Sequence, residues 1–530
     1  MNVAKKSTYD YVIIGSGFGG SVSALRLAQK GYSVLVIEKG KWFKSKDFPK
    51  TNWDLKSWLW EPRLKFHGFF KMTYLNHVTI LSGVGVGGGS LTYANTLPIP
   101  KKEFFTSGSW KGLRDWEEEL EVHYKEAHRM LGAEENPYLG PADNLIKNVA
   151  EDLGKEACFS PAKVAVHFGT PGKTYEDPYF KGKGPERKGC TQCGACMTGC
   201  RYNAKNTLDK NYLYLAQQLG AEIIAEHEVS DVIPIDKTNA KKGYYVFYNG
   251  SINKEKKQSI TAKNIIFSGG VLGTVPLLLK LKKNNSLPDL SKMLGCNIRT
   301  NNESLLLVTS TEKKSKDYTK GIAIGSILHI DENSHLEPVR YGKGSSFFRL
   351  LTIPSVQHKY AVVRIFGIVV LLLKSPIKIL KTIFTKSYSS RTTVLLFMQT
   401  LESTLRLKLG KVTKLKTVKE SSQAPSGFIP EASKLAKIIG KKVKAIPYSN
   451  ITDVLLGTPT TAHILGGAVM GQDSSTGVID KNNKVFGYDN MYVCDGSMIS
   501  ANPGVNPSLS ITAITELAMS RIPDKKDLKI

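Results

Sequence analysis

The chain has no apolar run of the ~18 residues needed to cross a bilayer. Its opening stretch, MNVAKKSTYDYVIIG, passes from a few basic residues straight into a strand-like run without a small-residue cleavage site, so no secretory leader is expected. Cysteine is scarce, at seven in 530 residues, and four of the seven crowd into 190–200. That clustering argues against a secreted disulfide framework and for a metal, redox or local structural site. Acidic residues are also short: 46 Asp and Glu against 73 Lys and Arg leave a formal net charge of +27. Such an excess draws a protein towards anions, whether nucleic acid, anionic membrane or acidic substrate. No nucleic-acid motif accompanies it and the lysines are scattered rather than striped, so nucleic acid is not an expected partner. The expected location is cytoplasmic, with attachment to a membrane surface as the sharper alternative.

Glycine, by contrast, is plentiful at 47 residues, in an otherwise ordinary globular composition long enough for about two to four domains. The first glycine cluster follows an apolar run, Tyr9 to Ile14, and reads GSGFGG. Gly15, Gly17 and Gly20 make G-x-G-x-x-G; Val22, Leu25 and Ala28 then line one helical face, and a second strand, Val34 to Ile37, ends at Glu38. In that βαβ setting Gly15 allows the tight turn, Gly17 admits a pyrophosphate to the backbone, and Gly20 lets helix and strand pack closely. The helix N-terminus holds phosphate, and Glu38 is placed for ribose hydroxyls. NAD and FAD both use this loop.

Two further glycine turns extend the site. SGVGVGGGSLTYAN, Ser82 to Asn95, carries Gly87, Gly88 and Gly89 in succession, leaving bare backbone N–H groups for phosphate or a planar ring. Asn264 to Ser268 reads as a strand, followed by Gly269-Gly270 and a helix, which marks the ligand-bearing end of a parallel sheet. Near the C-terminus, HILGGAVMG places His463 ahead of two glycines. Met491 to Cys494 reads as a strand, Asp495-Gly496 follows it, and Asn506-Pro507 stands where a helix cap and first helical residue belong. Leu509, Ala513 and Leu517 would line that helix's inner face, and its N-terminus would favour negative charge on a reduced flavin.

These segments, with GCTQCGACMTGCRYNAKNTLDKNYL and EPVRYGKGSS, resemble the glucose–methanol–choline (GMC) oxidoreductases, most closely their bacterial cholesterol oxidase-like branch, over almost the whole chain. The resemblance implies an α/β fold: a discontinuous Rossmann-like FAD-binding domain and a mainly antiparallel, six-stranded-sheet substrate domain. The FAD domain would combine 1–100, 200–305 and 450–530, and the substrate region 101–199 and 306–449. It implies FAD as cofactor, with Gly88, Gly89, Ser90, Asn95, Val229, Asp495 and Gly496 joining Gly15, Gly17, Gly20 and Glu38 around it. It also implies that His463 and Asn506 hold a substrate hydroxyl at the flavin, and that Glu337 moves a proton within a steroid. A carbinol gives up hydride readily only as its O–H proton leaves, so an aligned acceptor is needed. The implied reaction is oxidation of a secondary alcohol on a sterol-like or other lipid substrate, with double-bond isomerisation as an optional second step. The alternatives are a GMC dehydrogenase that passes electrons from another apolar alcohol to a quinone or protein, and a non-catalytic lipid-binding protein of the same fold.

Two stretches carry separate expectations. Cys190, Cys193, Cys196 and Cys200 have the C-x2-C-x2-C-x3-C spacing of a bacterial ferredoxin run, with Arg201 in place of the usual Pro. An iron–sulfur cluster, zinc, and reduced structural thiols remain the three readings. Between 360 and 386, apolar residues alternate with Lys374, Lys378, Lys381 and Lys386. With Lys374 and Lys378 sharing a helical face, this reads as an interfacial helix in peripheral contact with a membrane; a lid over an apolar pocket or a buried core helix are the other readings.

Overall fold

The computed structural model describes residues 4–236, 242–253, 256–410, 415–420 and 424–527. Its first layer grows from the βαβ unit. Strand Thr8–Ile14 is buried from Tyr9 onward, and helix Phe18–Gln29 links it to the wholly buried strand Val34–Ile37. Strands that are apolar on both faces suit the middle of a parallel sheet covered on each side. Thr8–Ile14 pairs in parallel with Val34–Ile37 and with Gln258–Phe267, which also takes Met491–Val493. Glu222–Ile224, Tyr244–Gly250 and His227–Pro234 complete a seven-stranded sheet drawn from three distant stretches of chain.

The second sheet is antiparallel and has seven strands rather than six. Its order is Thr352–Pro354, Pro447–Asn450, Ser304–Thr309, Thr392–Gln399, Ser334–Val339, Ser326–His329, Phe159–Pro161. The strand Phe159–Pro161, at one edge, comes from a stretch that carries no strand pattern of its own. Alternation sorts the faces of this sheet. Leu306, Val308, Leu336, Leu395 and Phe397 pack beneath helices Pro141–Asp152 and Pro430–Lys442. Leu305, Leu307, Val339, Val394 and Leu396 turn the other way and wall a cavity between the two sheets. A fully buried ion pair, Arg340 to Asp143 at 2.7 Å, fastens helix Pro141–Asp152 to the sheet. Residues 101–199 serve both layers: helix Trp116–Met130 packs on the last helix, Ser508–Ser520, where the hydroxyls of Tyr124 and Ser510 meet at 2.8 Å.

The stretch 360–386 is not one helix. Pro376 cannot continue the preceding turn, so the chain breaks at Ser375 into helices Ala361–Lys374 and Pro376–Phe384. Lys374 and Lys378 therefore lie on different helices. Nor is this a core segment: Arg364 is the buried residue of the first helix, and its guanidinium donates to the carbonyls of His358, Lys359, Val454 and Leu455. The apolar side chains face outward, with Val362 78%, Leu373 77% and Phe384 73% exposed. Nor is it a wall of the cavity, which is lined by the flanking Phe348 and Tyr388 but by no residue of either helix. Among the described residues, no helix is long and apolar enough to cross a membrane.

Candidate active site

One cavity of about 720 Å³ lies between the sheets. Gly15, Gly17, Gly88, Gly89, Glu38, Val229, Asp495 and Gly496 line it, together with His463 and Asn506. The residues fit a dinucleotide cofactor. Helix Phe18–Gln29 begins at Gly17 with no side-chain cap, so its first N–H groups face the cavity unopposed. Gly15 adopts φ +103°, and a Cβ there would lie 2.4 Å from the Ser268 carbonyl oxygen. Gly88, at φ +51°, brings the second glycine tract onto the first: a Cβ there would meet the Gly17 Cα at 2.7 Å. Two bare loops in contact form the cradle that a pyrophosphate needs. Glu38 is held at the rim by the Ser16 amide and hydroxyl on one oxygen and the Gly40 amide on the other. Asp495 does not end its strand as a free contact. Its carboxylate accepts from Ser497, from Gly270 N–H and from the Thr274 hydroxyl, tying the third glycine turn to the C-terminal segment. Burial raises its pKa against the pull of those bonds.

Three expected cofactor residues lie off the cavity wall. The Gly20 position is filled by packing, since a Cβ would meet the Gly15 carbonyl oxygen at 2.1 Å. Ser90 spends its hydroxyl on the backbone, donating to Gly87 O in its own loop and accepting from Leu208 N–H. Asn95 is buried at φ 74° with neither side-chain polar atom partnered.

The polar pair at the other end is built by three segments. His463 Nδ1 lies 2.6 Å from a Glu303 carboxylate oxygen, and the other oxygen of Glu303 accepts from Ala462 N–H at 2.6 Å. The Asn506 amide nitrogen lies 3.5 Å from His463 Nε2 and 3.4 Å from the Glu337 carboxylate. Asn506 does not cap the last helix. That helix begins at Ser508 with Pro507 in the cap position, which frees the Asn506 side chain to face His463 and Glu337. An amide NH2 between two acceptors leaves His463 with its proton on Nδ1, towards Glu303, and a lone pair on Nε2. Burial alone would lower the His463 pKa, but the Glu303 carboxylate outweighs it, with a smaller push from Glu337, and the net shift is upward. Asn506 Oδ1 has no protein partner. Glu337 is wholly buried behind Asn506 rather than on the cavity wall. Glu303 carried no signal in the sequence: it stands in TNNESLLL, at the mouth of an apolar strand.

The cysteine run does not form the ligand set its spacing suggests. Among the described residues, no three His, Cys, Asp or Glu side chains gather as a metal site. Cys190 and Cys196 pack in an apolar cluster with Ile322, Ile324 and Met398. Burial pushes the Cys196 thiol up to about 11. The loop is tied to the second glycine tract by buried Lys205, whose ammonium donates to the carbonyls of Leu91, Tyr93 and Cys196. Its contribution here is to support the cavity wall, which includes Met197.

A dinucleotide cradle closed by a histidine–amide pair against an apolar wall defines an FAD-dependent oxidoreductase acting on alcohols. Comparison with known proteins agrees. The family model described as GMC oxidoreductase matches in two parts, over 184–299 and 427–515, and an NAD(P)-binding Rossmann-like domain matches 13–43. The chain is 44% identical to a cholesterol oxidase of Acinetobacter baumannii, covering 98% of this chain and 95% of that protein. It is 42% identical to a cholesterol oxidase of Mycobacterium tuberculosis, covering 98% and 92%. A long-chain-alcohol oxidase of Arabidopsis thaliana is 24% identical over 97% of this chain and 67% of its own length. The fold also matches the crystal structure of a pyridoxine 4-oxidase, with a TM-score of 0.62 at 14% identity, covering 97% of this chain and 98% of that one. The chain belongs to the GMC oxidoreductase family.

Proposed function

We propose that the substrate is a sterol-like secondary alcohol. The observation that carries this is the wall facing His463 and Asn506: Leu305, Leu307, Ile324, Val339, Val394 and Leu396 present a broad hydrocarbon surface with one polar pair at its end. That suits a rigid apolar body bearing a single hydroxyl. The relatives from Acinetobacter baumannii and Mycobacterium tuberculosis are named cholesterol oxidases, which supports the same reading. Gly15, Gly17, Gly88, Gly89, Glu38 and Val229 would hold FAD, which would supply the hydride acceptor. His463 Nε2 takes the hydroxyl proton, Asn506 fixes the oxygen, and Glu303 keeps the imidazole in the tautomer this needs. The apolar wall excludes water while the proton moves.

Glu337 lies one side chain behind the hydroxyl site, where it serves as the carboxyl that shifts a proton within the sterol ring. Product analysis with cholesterol tests both steps. The wild-type protein is expected to release a conjugated enone, and Glu337→Gln the unconjugated ketone. A failure of cholesterol alongside rapid turnover of dodecanol would replace the sterol with a chain alcohol.

Access to such a substrate points to the two exposed helices. Their outward apolar residues are joined by Leu456 on the neighbouring segment, 72% exposed, and by exposed Lys374, Lys378, Lys381 and Lys386. Apolar side chains ringed by lysine on a protein of net charge +27 match an anionic bilayer surface. Phe348 and Tyr388, which flank the helices in sequence, line the cavity, so this contact would set its mouth near the lipid. Phe366→Asp with Phe384→Asp is expected to lower binding to phosphatidylserine-containing vesicles by roughly tenfold or more per residue, because each Phe forfeits about 1.5–3 kcal/mol of burial. Flavin bleaching by detergent-dispersed cholesterol should not change. Equal vesicle sedimentation of variant and wild type would remove the membrane from the account.

A further inference from the structure

The cavity wall changes character with distance from His463. On the second sheet Leu305, Leu396 and Glu337 stand level with one another, and Glu337 meets the Asn506 amide, so this level marks the hydroxyl end. Two residues further along the strands, Leu307, Val394 and Val339 are level and keep the wall apolar. Thr392 also lines the cavity, four residues from Leu396, which is about 13 Å along an extended strand. There the apolar wall stops. Helix Tyr388–Arg391 runs straight into Thr392 and carries Ser389, whose hydroxyl accepts from Gly344 N–H at 3.0 Å. That contact brings the following Ser345 and Ser346 to the same end, and all three serines line the cavity.

The three serine hydroxyls are only half-committed. Ser345 Oγ accepts from Asn52 N–H at 3.4 Å, Ser346 Oγ from Trp53 Nε1 at 2.9 Å, and Ser389 Oγ from Gly344 N–H. A hydroxyl donates as well as accepts, and among the described residues no acceptor takes any of these three O–H protons. Thr392 differs, since its hydroxyl already donates to the Tyr388 carbonyl at 2.7 Å. Ser345 and Ser389 are only 4% and 7% exposed, so an alkyl tail laid against them would leave buried donors unmet. The group that fits is a neutral acceptor rather than a carboxylate. Arg340 is committed to Asp143, and the Arg349 guanidinium lies over the Tyr388 ring and donates to the Thr385 carbonyl.

We infer that the preferred substrate carries, besides its one hydroxyl, a carbonyl oxygen at the far end of its apolar body, and that Ser389, Ser345 and Ser346 receive it. The span from the hydroxyl end to Thr392 is longer than four fused rings, which puts that oxygen on the side chain. The class is then a hydroxysterol with a side-chain ketone. This rests on the sterol reading and sharpens it. A plain hydrocarbon tail still enters, because the rings make the same contacts, but it forfeits the hydrogen bond.

The test compares two matched pairs in detergent micelles by anaerobic flavin bleaching of the FAD-loaded protein. One pair is pregnenolone and the same alcohol without its ketone; the other is 24-ketocholesterol and cholesterol. The two ketones differ in reach. The ratio of second-order bleaching rates, ketone over hydrocarbon, should fall roughly three- to tenfold from wild type to Ser389→Ala in at least one pair, the worth of one neutral hydrogen bond. Partition into micelles is common to both proteins and drops out of that comparison. Ser345→Ala should lower the same ratio. So should Ser346→Ala, at the least buried of the three sites, where folding is least threatened. Wild-type ratios for both pairs in all three variants would overturn the inference and leave the sterol reading standing. Four sterols that leave the flavin oxidised while dodecanol bleaches it would overturn the sterol reading, and this inference with it.

Discussion

Replacing His463 by Gln is expected to lower kcat/KM for alcohol oxidation by about 100- to 10,000-fold while FAD remains bound. The loss follows from chemistry rather than from collapse. His463 stands at the cavity wall, and none of the glycine turns that hold the cofactor hydrogen-bonds to its side chain. Gln keeps the reach and polarity but has no lone pair of comparable basicity. The hydroxyl proton then has no acceptor as hydride departs. The measurement is anaerobic flavin bleaching, with flavin content read from the visible spectrum beforehand. A variant that bleaches at the wild-type rate would transfer the base to another residue; one that loses flavin would show His463 to be structural.

The second large effect is expected from Glu303→Gln. Its carboxylate, 2.6 Å from His463 Nδ1, both fixes the tautomer and raises the imidazole pKa against burial. As the proposed base, His463 must be neutral, so wild-type activity is expected to fall as pH drops through that raised pKa. Removing the charge lets burial prevail, and the acid limb should move to lower pH. Loss of orientation should cut kcat by roughly 10- to 100-fold across the plateau. The same shift has a stability consequence. A histidine whose folded pKa is raised contributes stability that is full below its unfolded value near 6.5 and is lost as pH rises through the folded value. The variant should therefore melt lower than wild type chiefly in mildly acidic solution, with the gap closing above the folded pKa. An acid limb at an unchanged pH would show that Glu303 does not control His463.

The dinucleotide layer was legible because each of its requirements leaves a mark in sequence. A close approach demands glycine at Gly15 and Gly20, and a strand buried on both faces demands the apolar runs Tyr9–Ile14 and Val34–Ile37. The substrate layer is less legible because its sheet is assembled from strands far apart in the chain. The edge strand Phe159–Pro161 has three residues and no periodicity to read. Glu303 was invisible for the same reason: its role depends on a partner 160 residues away. A local rule misled at one point. Asn506-Pro507 has the chemistry of a helix start, yet the amide turns to His463 and Glu337, since capping and substrate contact compete for one side chain. Cysteine spacing left a cluster, zinc and structural thiols open, because thiols bind metal only when the backbone converges them, and this loop packs Cys190 and Cys196 into an apolar wall. The basic apolar stretch stands out in the sequence, but only the tertiary structure shows that its apolar side faces out.

The proposed reaction is oxidation of an apolar alcohol at the cofactor by a site whose polar groups are His463 and Asn506. Anaerobic titration of the FAD-loaded protein with cholesterol tests it most directly. Full bleaching of the flavin at one equivalent of sterol is expected, with the ketone as product and no bleaching on the same timescale in His463→Gln. A flavin that stays oxidised with cholesterol and dodecanol alike, in a protein that still binds both, would contradict it.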